Sequence, residues 1–141
     1  MLQKLLPDGI AHNWALVAPA IADALEQEQT VGLMSRILFS ILKEDSEVWT
    51  YIDDNSIKAL LLITINRDKV QQTNTLFVYS LKSVVRLTET DAQNICNSLE
   101  KMASDRGCVS ITGLADKPSY IRYLRVLHFD TRYTHVVREV V

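Results

Sequence analysis

The stretch "TLFVYSLKSVVRLTETDAQNICNSLEKMASDRGCVSITGL", residues 75–114, decides the fold. The β-branched and aromatic residues of "TLFVYSL" predict a strand. A helix is predicted from Glu89 to Arg106, with Thr88 as its cap and Asp91 in a capping-box position. Gly107 is predicted to end this helix, and "CVSITGL" to form the next strand. A strand–helix–strand unit of this length predicts a right-handed crossover between two parallel strands.

The residues before this unit predict two helices followed by a hairpin. Apolar residues at helical spacing predict helices over about 13–28 and 30–43, with Asn13 as the cap of the first. From residue 48 the period becomes two, and "EVWTYID" and "IKALLLITIN" are predicted strands joined by the turn "DDNS". A short turn predicts antiparallel neighbours. The second strand is apolar on both faces, as a central strand requires, and "RDKVQQTN" is a predicted polar loop.

After residue 114 a further helix is predicted over about 117–127, and "DTRYTHVVREVV" alternates as one or two closing strands. The predicted element order is therefore ααβββαβαββ. We expect an α+β fold with a mixed central sheet flanked by helices. The chain has 141 residues, which fits one domain spanning residues 1–141.

The composition argues against several classes of function. The chain is 48% hydrophobic and 23% charged with a net charge of −2, which indicates a globular protein and argues against a dedicated nucleic-acid binder. No apolar run reaches the ~18 residues of a membrane span, and no signal peptide is expected. Cys96 and Cys108 lack a CxxC partner or a nearby histidine cluster, so no metal site is expected. Free thiols suit a reducing compartment.

The last third of the chain carries a resemblance to a known family. The segment "SITGLADKPSYIRYLRVLHFDTRYTHVVREV" resembles the strand, loop, helix and final hairpin of the GNAT (GCN5-related N-acetyltransferase) family, with Phe129 in the place of the family's GF phenylalanine. The predicted element order also resembles that family. The resemblance implies a GNAT-like fold, and it implies an acetyl-CoA site wherever the functional residues of the family are kept.

The pyrophosphate loop of the family has no close counterpart in this sequence. In the family, a glycine-rich loop and the next helix N-terminus hold the pyrophosphate through backbone N–H groups. The corresponding stretch "LKSVVRLTETD" has no glycine, and Val84 and Val85 disfavour positive φ angles. Acidic residues in the first helical turn would compete with a phosphate. The cofactor-binding candidates that remain are Leu81, Lys82 and Arg86.

The position of the family's frequent general acid also differs. That acid is a tyrosine five residues before the GF phenylalanine, a position occupied here by Leu124, which cannot transfer a proton. The neighbouring tyrosine points about 100° away around the helix. A histidine replaces the glycine of GF and can titrate near neutral pH. The catalytic candidates are therefore Tyr120, Tyr123 and His128.

These departures favour a GNAT-like protein without acetyltransferase activity that acts through protein–protein contacts. The segment resembles small bacteriophage GNAT-like proteins, including internal virion proteins. This resemblance implies a virion component in multiple copies, located in the particle or in the host cytoplasm, with other virion or assembly proteins as partners and no cofactor. Its interface candidates are Arg122, Arg125, Arg132 and Tyr133. Two alternatives remain open: an active acyl-CoA-dependent N-acetyltransferase with an atypical loop, and a monomeric protein that binds one host factor.

Overall fold

The computed structural model describes residues 1–24 and 31–113, together with Arg125, Phe129, Asp130 and Arg138. Within these residues the elements are, in order, β1 (Leu2–Leu5), α1 (Pro7–His12), α2 (Trp14–Ala24), α3 (Val31–Leu42), β2 (Ser46–Asp53), β3 (Ser56–Asp68), β4 (Thr73–Ser83), α4 (Glu89–Asp105) and β5 (Cys108–Gly113). The predicted α+β class and the predicted order from the first long helix to the fourth strand are confirmed. The predicted last helix and closing strands lie outside the described residues.

Two short elements at the start of the chain were not predicted. β1 has four residues and pairs antiparallel with β2, with Leu2 opposite Tyr51 and Leu5 opposite Val48. α1 is the six-residue segment "PDGIAH". Neither is long enough to show a clear period, and β1 exists because β2 offers it a hydrogen-bonding edge.

Asn13 lies between α1 and α2 and serves both helix ends. Asn13 is the C-cap of α1, and its side-chain Nδ2 donates to the carbonyl oxygen of Gly9 at 2.8 Å. The Asn13 carbonyl oxygen accepts from the Val17 N–H at 3.0 Å, the first hydrogen bond of α2, so Asn13 also occupies the N-cap position of that helix. An asparagine between two closely spaced helices can serve both ends, one through its side chain and the other through its backbone.

The described strands form one sheet in the order β1-β2-β3-β4-β5. All neighbours are antiparallel except β4 and β5, which are parallel. The predicted parallel pairing of the strands before and after α4 is therefore confirmed. The predicted turn between β2 and β3 is also confirmed, because Asp54 and Asn55 both have positive φ angles of 50° and 60°, as a two-residue type I′ turn requires.

The predicted polar loop after β3 is shorter than expected. Arg67 pairs with Asn74 and Asp68 with Thr73, so the two strands continue beyond their apolar residues. Cross-strand hydrogen bonding extends the ladder where the side chains are polar on both faces. The alternation of apolar residues, on which the prediction rested, stops earlier than the pairing does.

The sheet carries an apolar core on each face, as the two-sided apolar sequence of β3 predicted. Leu62 packs against α1, α2 and α3, within a core that is completed by Ile10, Val17, Ile21, Ile37, Ile41 and Val48. Leu61 and Ile63 pack on the other face beneath α4, within a core that is completed by Tyr51, Ala59, Leu76, Ile95, Leu99 and Ala103. β3 is therefore the central strand of a sheet that is covered by helices on both faces.

Register shifts interrupt the described ladders at three places, one between β4 and β5, where Val109 is an extra residue, and two on either side of β3. Between Leu62 and Ile63 the partner on β4 changes from Ser80 to Val78, so Tyr79 is an extra residue. On the other side of β3, Lys58 is extra, because Tyr51 pairs with Ala59 and the next residue of β2 pairs with Ile57. A bulge changes the direction in which nearby side chains point and leaves a residue outside the regular pairing.

The residues that cap α4 are as predicted. Thr88 and Asp91 form a capping box, and Gly107 has a φ of 69° directly after the helix, a conformation that glycine adopts without a Cβ clash. Among the described residues, no helix is long and apolar enough to cross a membrane.

Candidate functional site

The loop between β4 and α4 is the position at which the GNAT resemblance expects the pyrophosphate. Leu81 lies near the end of β4 and is 42% exposed. Lys82 follows it in the strand and is half-buried, and Arg86 is exposed in the loop. The structure therefore brings these three predicted candidates to the segment that leads into α4.

The backbone of this loop differs from a phosphate-binding nest. Among the described non-glycine residues, positive φ angles occur at Glu44, Asp54, Asn55 and Gln72. None of these positions lies between residues 83 and 89. A nest binds an anion by alternating right- and left-handed residues, so that successive N–H groups converge. The loop lacks that alternation, as Val84 and Val85 led us to expect.

Two backbone N–H groups at the N-terminus of α4 are bound by the side chains of a capping box. The Thr88 hydroxyl accepts from the Asp91 N–H at 3.1 Å, and Asp91 Oδ2 accepts from the Thr88 N–H at 3.0 Å. Asp91 is only 3% exposed. The hydrogen bond from the Thr88 backbone is the main cause that lowers the pKa of Asp91 below its ordinary value, and the charge of Lys58 acts in the same direction. The carboxylate is therefore an internal anion at the helix N-terminus.

A polar network holds the second oxygen of this carboxylate. The Tyr51 hydroxyl donates to Asp91 Oδ1 at 3.3 Å, and Lys58 Nζ lies 3.5 Å from the same oxygen. Lys58 also donates to Asp53 Oδ2 at 3.2 Å, and Asn94 donates to the Tyr51 hydroxyl at 3.2 Å. The hydrogen bond with Asp53 is the main cause that raises the pKa of Lys58. This network connects Asp91 on α4 to Tyr51 on β2 and Lys58 on β3.

The sequence did not point to Tyr51 or Lys58 as members of such a network. Tyr51 is 1% exposed, and the sequence placed it only within the predicted strand "EVWTYID". Lys58 lies at the β3 bulge. Because a bulge changes the strand's alternation, the period-two pattern did not predict that its side chain would meet α4. The predicted turn residue Asp53 is its ion-pair partner.

A groove opens on the opposite face of the sheet, between α3 and the strands. We call it the α3 groove. It has a volume of about 410 Å³ and is lined on the helix side by Leu33, Arg36, Ile37 and Ser40, and on the sheet side by Ser46, Leu62, Thr64, Asn66, Phe77 and Tyr79. The β4 bulge supplies the last of these residues. Sequence reasoning did not single out this groove, since its two walls come from elements that are separated along the chain.

A second cleft, of about 220 Å³, lies where the end of α4 approaches β2 and β3. Its charged wall is a bidentate ion pair, in which the Arg106 guanidinium donates to both oxygens of Glu47 at 2.7 and 2.9 Å. Trp49 Nε1 also donates to Glu47, at 2.9 Å. Both Glu47 oxygens are therefore engaged by protein donors, and we assign this arrangement a structural role.

Several predicted candidates lie outside the described residues. These are the catalytic candidates Tyr120, Tyr123 and His128 and the interface candidates Arg122, Arg132 and Tyr133. The interface candidate Arg125 is described and exposed. Cys96 and Cys108 are free thiols, each half-buried, and burial raises the pKa of the Cys96 thiol.

No protein-family model matches the sequence, and no curated protein matches it either. Similar solved structures include an aminoglycoside acetyltransferase from an uncultured soil metagenomic sample in complex with sisomicin, with a TM-score of 0.71 at 10% identity, covering 100% of this chain and 96% of that one. A ribosomal-protein-alanine N-acetyltransferase from Brucella melitensis biovar Abortus 2308 has a TM-score of 0.70 at 14% identity, over 100% and 99% of the two chains.

A transcriptional regulator from Bacillus halodurans C-125 is as similar in structure as these enzymes. Its TM-score is 0.72 at 16% identity, and the match covers 99% of each chain. The neighbours thus match essentially the whole of this chain at identities that show the fold alone. Together with the mixed sheet and the crossover through α4, they show that the chain has a GNAT-like fold.

Proposed function

We propose that this chain is a GNAT-fold protein that acts through protein–protein contacts and does not transfer an acetyl group from acetyl-CoA. The observation that carries the proposal is the capping box at the N-terminus of α4. A helix N-terminus binds phosphate through free N–H groups and a favourable dipole. Here the Asp91 carboxylate takes the Thr88 N–H and the Thr88 hydroxyl takes the Asp91 N–H. A pyrophosphate would be repelled by the resident carboxylate.

The surface around this helix end supports binding to another protein. Leu81, Val84 and Val85 are between 42% and 60% exposed, and Ile57 falls in the same range. The Val84 N–H donates to the carbonyl oxygen of Lys58 at 2.8 Å, which places Val84 beside Ile57. Exposed apolar residues at one end of a sheet are typical of a protein contact surface and unlike a phosphate site.

We further propose that the protein functions as a virion or assembly component of a bacteriophage, in multiple copies and without a cofactor, in the particle or in the host cytoplasm. This part of the proposal rests on the sequence resemblance of the last third of the chain. A fold can keep its geometry while its surfaces take over the function. Sizing with light scattering is the first test of self-association. Capsid, portal or tail genes beside this gene would support the assignment.

The loss of acyl-CoA binding is tested by calorimetric titration of CoA and acetyl-CoA into the full chain. We expect no saturable heat, with a GNAT acetyltransferase as positive control. Binding at ~10 μM, about 7 kcal/mol, would refute the proposal. A protein that ignores CoA and remains strictly monomeric would argue against the virion role and favour a protein that binds a single host factor.

A second candidate function, an active acyl-CoA-dependent N-acetyltransferase, is favoured by one observation. The bulge at Tyr79 interrupts the β3–β4 ladder, and bulges are frequent next to active sites. In that case β4 would pair with the pantetheine arm of acetyl-CoA, and Tyr120 or Tyr123 would be the acid. Release of CoA thiol in the presence of an aminoglycoside acceptor would support this function and contradict the first.

A further inference from the structure

We propose that the α3 groove binds a small organic carboxylate with an apolar body. This inference goes beyond the proposed function, because neither protein contacts at the α4 end of the sheet nor the absence of acyl-CoA chemistry requires it. The groove's volume of about 410 Å³ lies within the range of pockets that bind small molecules. Its described lining residues combine an apolar floor with one charged group, and that combination defines the ligand class.

The charged group is Arg36. It lines the groove from the same face of α3 as Leu33, Ile37 and Ser40, which recur at the three- and four-residue spacing of one helical face. An arginine on the face that a helix turns toward the sheet departs from the usual pattern, in which charges lie on the opposite side. Arg36 makes no ion pair with any residue that the structure describes, and it is exposed.

A guanidinium without a protein partner selects for an anion. Among the described lining residues Arg36 is the only charged one, so an amine, which is a cation at neutral pH, would meet a like charge. The guanidinium presents its N–H donors in a planar fork that matches the two oxygens of a carboxylate. The groove therefore favours a carboxylate end over an ammonium end.

The apolar body of the ligand would rest on the floor of the groove. Ile37 and Leu62 are both buried and line it. Phe77 and Tyr79 form its aromatic wall, with ring centroids 6.0 Å apart at an interplanar angle of 76°. Such an edge-to-face pair leaves ring surface for a further aromatic or aliphatic group. The wall depends on the bulge, which keeps Tyr79 on β4 without a partner on β3.

The remaining polar groups show where a ligand would find hydrogen bonds. Ser40 and Ser46 bond to each other at 2.7 Å, so their hydroxyls are engaged. The Ser80 hydroxyl is buried and makes no hydrogen bond within the described part of the chain. Because Ser80 pairs with Leu62, its side chain lies on the same face of the sheet as the groove. Ser80 is not among the described lining residues, so the polar side chains open to a ligand are Thr64 and Asn66, of which Thr64 donates to Asn66 Oδ1 at 3.3 Å.

The test uses two probes that differ only in charge, N-acetyl-phenylalanine and its neutral amide, titrated into the full ¹⁵N-labelled chain and followed by two-dimensional NMR. We expect the carboxylate to shift the amide signals of α3 and of residues 77–80, with an affinity about tenfold higher than that of the amide. Arg36→Gln should remove this difference while weak binding of the amide persists. Lys101→Gln removes an exposed positive charge from α4, on the opposite face of the sheet, and is the control that should change nothing.

Equal affinity for the two probes, or an unchanged preference in the Arg36→Gln variant, would overturn the inference. So would shifts confined to residues outside the groove, or no shifts up to ~10 mM, the weak limit for a specific small ligand. Because neither probe contains CoA, these outcomes are independent of the CoA titration. Arg36 is exposed, so its replacement is expected to leave folding intact, and the spectrum of the free variant verifies this.

Discussion

The ion pair between Arg106 and Glu47 provides a prediction whose size follows from the geometry. It joins the C-terminal end of α4 to β2 across 59 residues of sequence, through two hydrogen bonds of 2.7 and 2.9 Å. Replacing Arg106 with alanine removes both. The Glu47 carboxylate then keeps Trp49 Nε1 at 2.9 Å and Lys4 at 4.0 Å, and it loses the guanidinium that engages both of its oxygens.

The exposure of the two side chains determines how much stability the loss of the ion pair should cost. The Glu47 side chain is 15% exposed and that of Arg106 is 32% exposed, so the pair lies between two limits. Exposed pairs contribute about 0.2–1 kcal/mol, and breaking a fully buried pair costs about 3–5 kcal/mol. We expect Arg106→Ala to lower the free energy of unfolding by about 2 kcal/mol. For a chain of this size that corresponds to a fall in Tm of roughly 6–10 °C.

The stability lost in Arg106→Ala should depend on pH. Burial raises the pKa of Glu47, but the hydrogen bonds from Arg106 and Trp49 and the nearby positive charges outweigh it and hold this pKa below its ordinary value. A carboxyl whose pKa is lowered by folding stabilises the protein above its unfolded pKa, and this stabilisation is lost as the pH falls through the folded value. The difference between wild type and Arg106→Ala should therefore be full at pH 7 and shrink below about pH 4.

Urea unfolding at several pH values measures this difference. Arg106→Lys keeps the positive charge without the planar guanidinium, so we expect it to lose about half as much unfolding free energy as Arg106→Ala. Arg67→Ala is the control, because Arg67 is exposed and makes one long hydrogen bond of 3.4 Å to Asn74. The reasoning would be refuted if Arg106→Ala lost less than about 0.5 kcal/mol of unfolding free energy at pH 7. It would also be refuted if the loss at acidic pH equalled the loss at pH 7.

Two further predictions concern single hydroxyl groups. Thr88→Ala should lower the free energy of unfolding by about 1 kcal/mol, because the Asp91 N–H loses its acceptor. In the same urea assay, Thr88→Ser should retain most of the wild-type stability. An unchanged stability of Thr88→Ala would show that the capping box contributes nothing. Ser80→Ala should raise the Tm slightly, because it removes a buried hydroxyl without a described partner whose burial costs roughly 1 kcal/mol. Ser46→Ala removes a bonded hydroxyl and should lower the Tm, so a fall in both variants would contradict the assignment.

The sequence by itself determined the features that depend on neighbouring residues. Thr88, Asp91 and Gly107 bracket α4 at the spacings that its two termini require, so both ends were predictable. The apolar run of β3 identified the central strand, because only a strand covered on both faces excludes polar residues from both. The sequence also shows that the segment before α4 contains no glycine, and this absence predicted that the helix end would differ from a phosphate site.

Only the tertiary structure decided which distant residues meet. β1 forms because β2 is beside it, and the bulges at Lys58 and Tyr79 depend on the register between strands. The partnership of Asp91 with Tyr51 and the position of Arg36 over the groove follow from how the helices pack on the sheet. Periods of 2 and 3.6 residues specify the face on which a side chain lies. They carry no information about the element that will cover that face, which the packing of the whole chain selects.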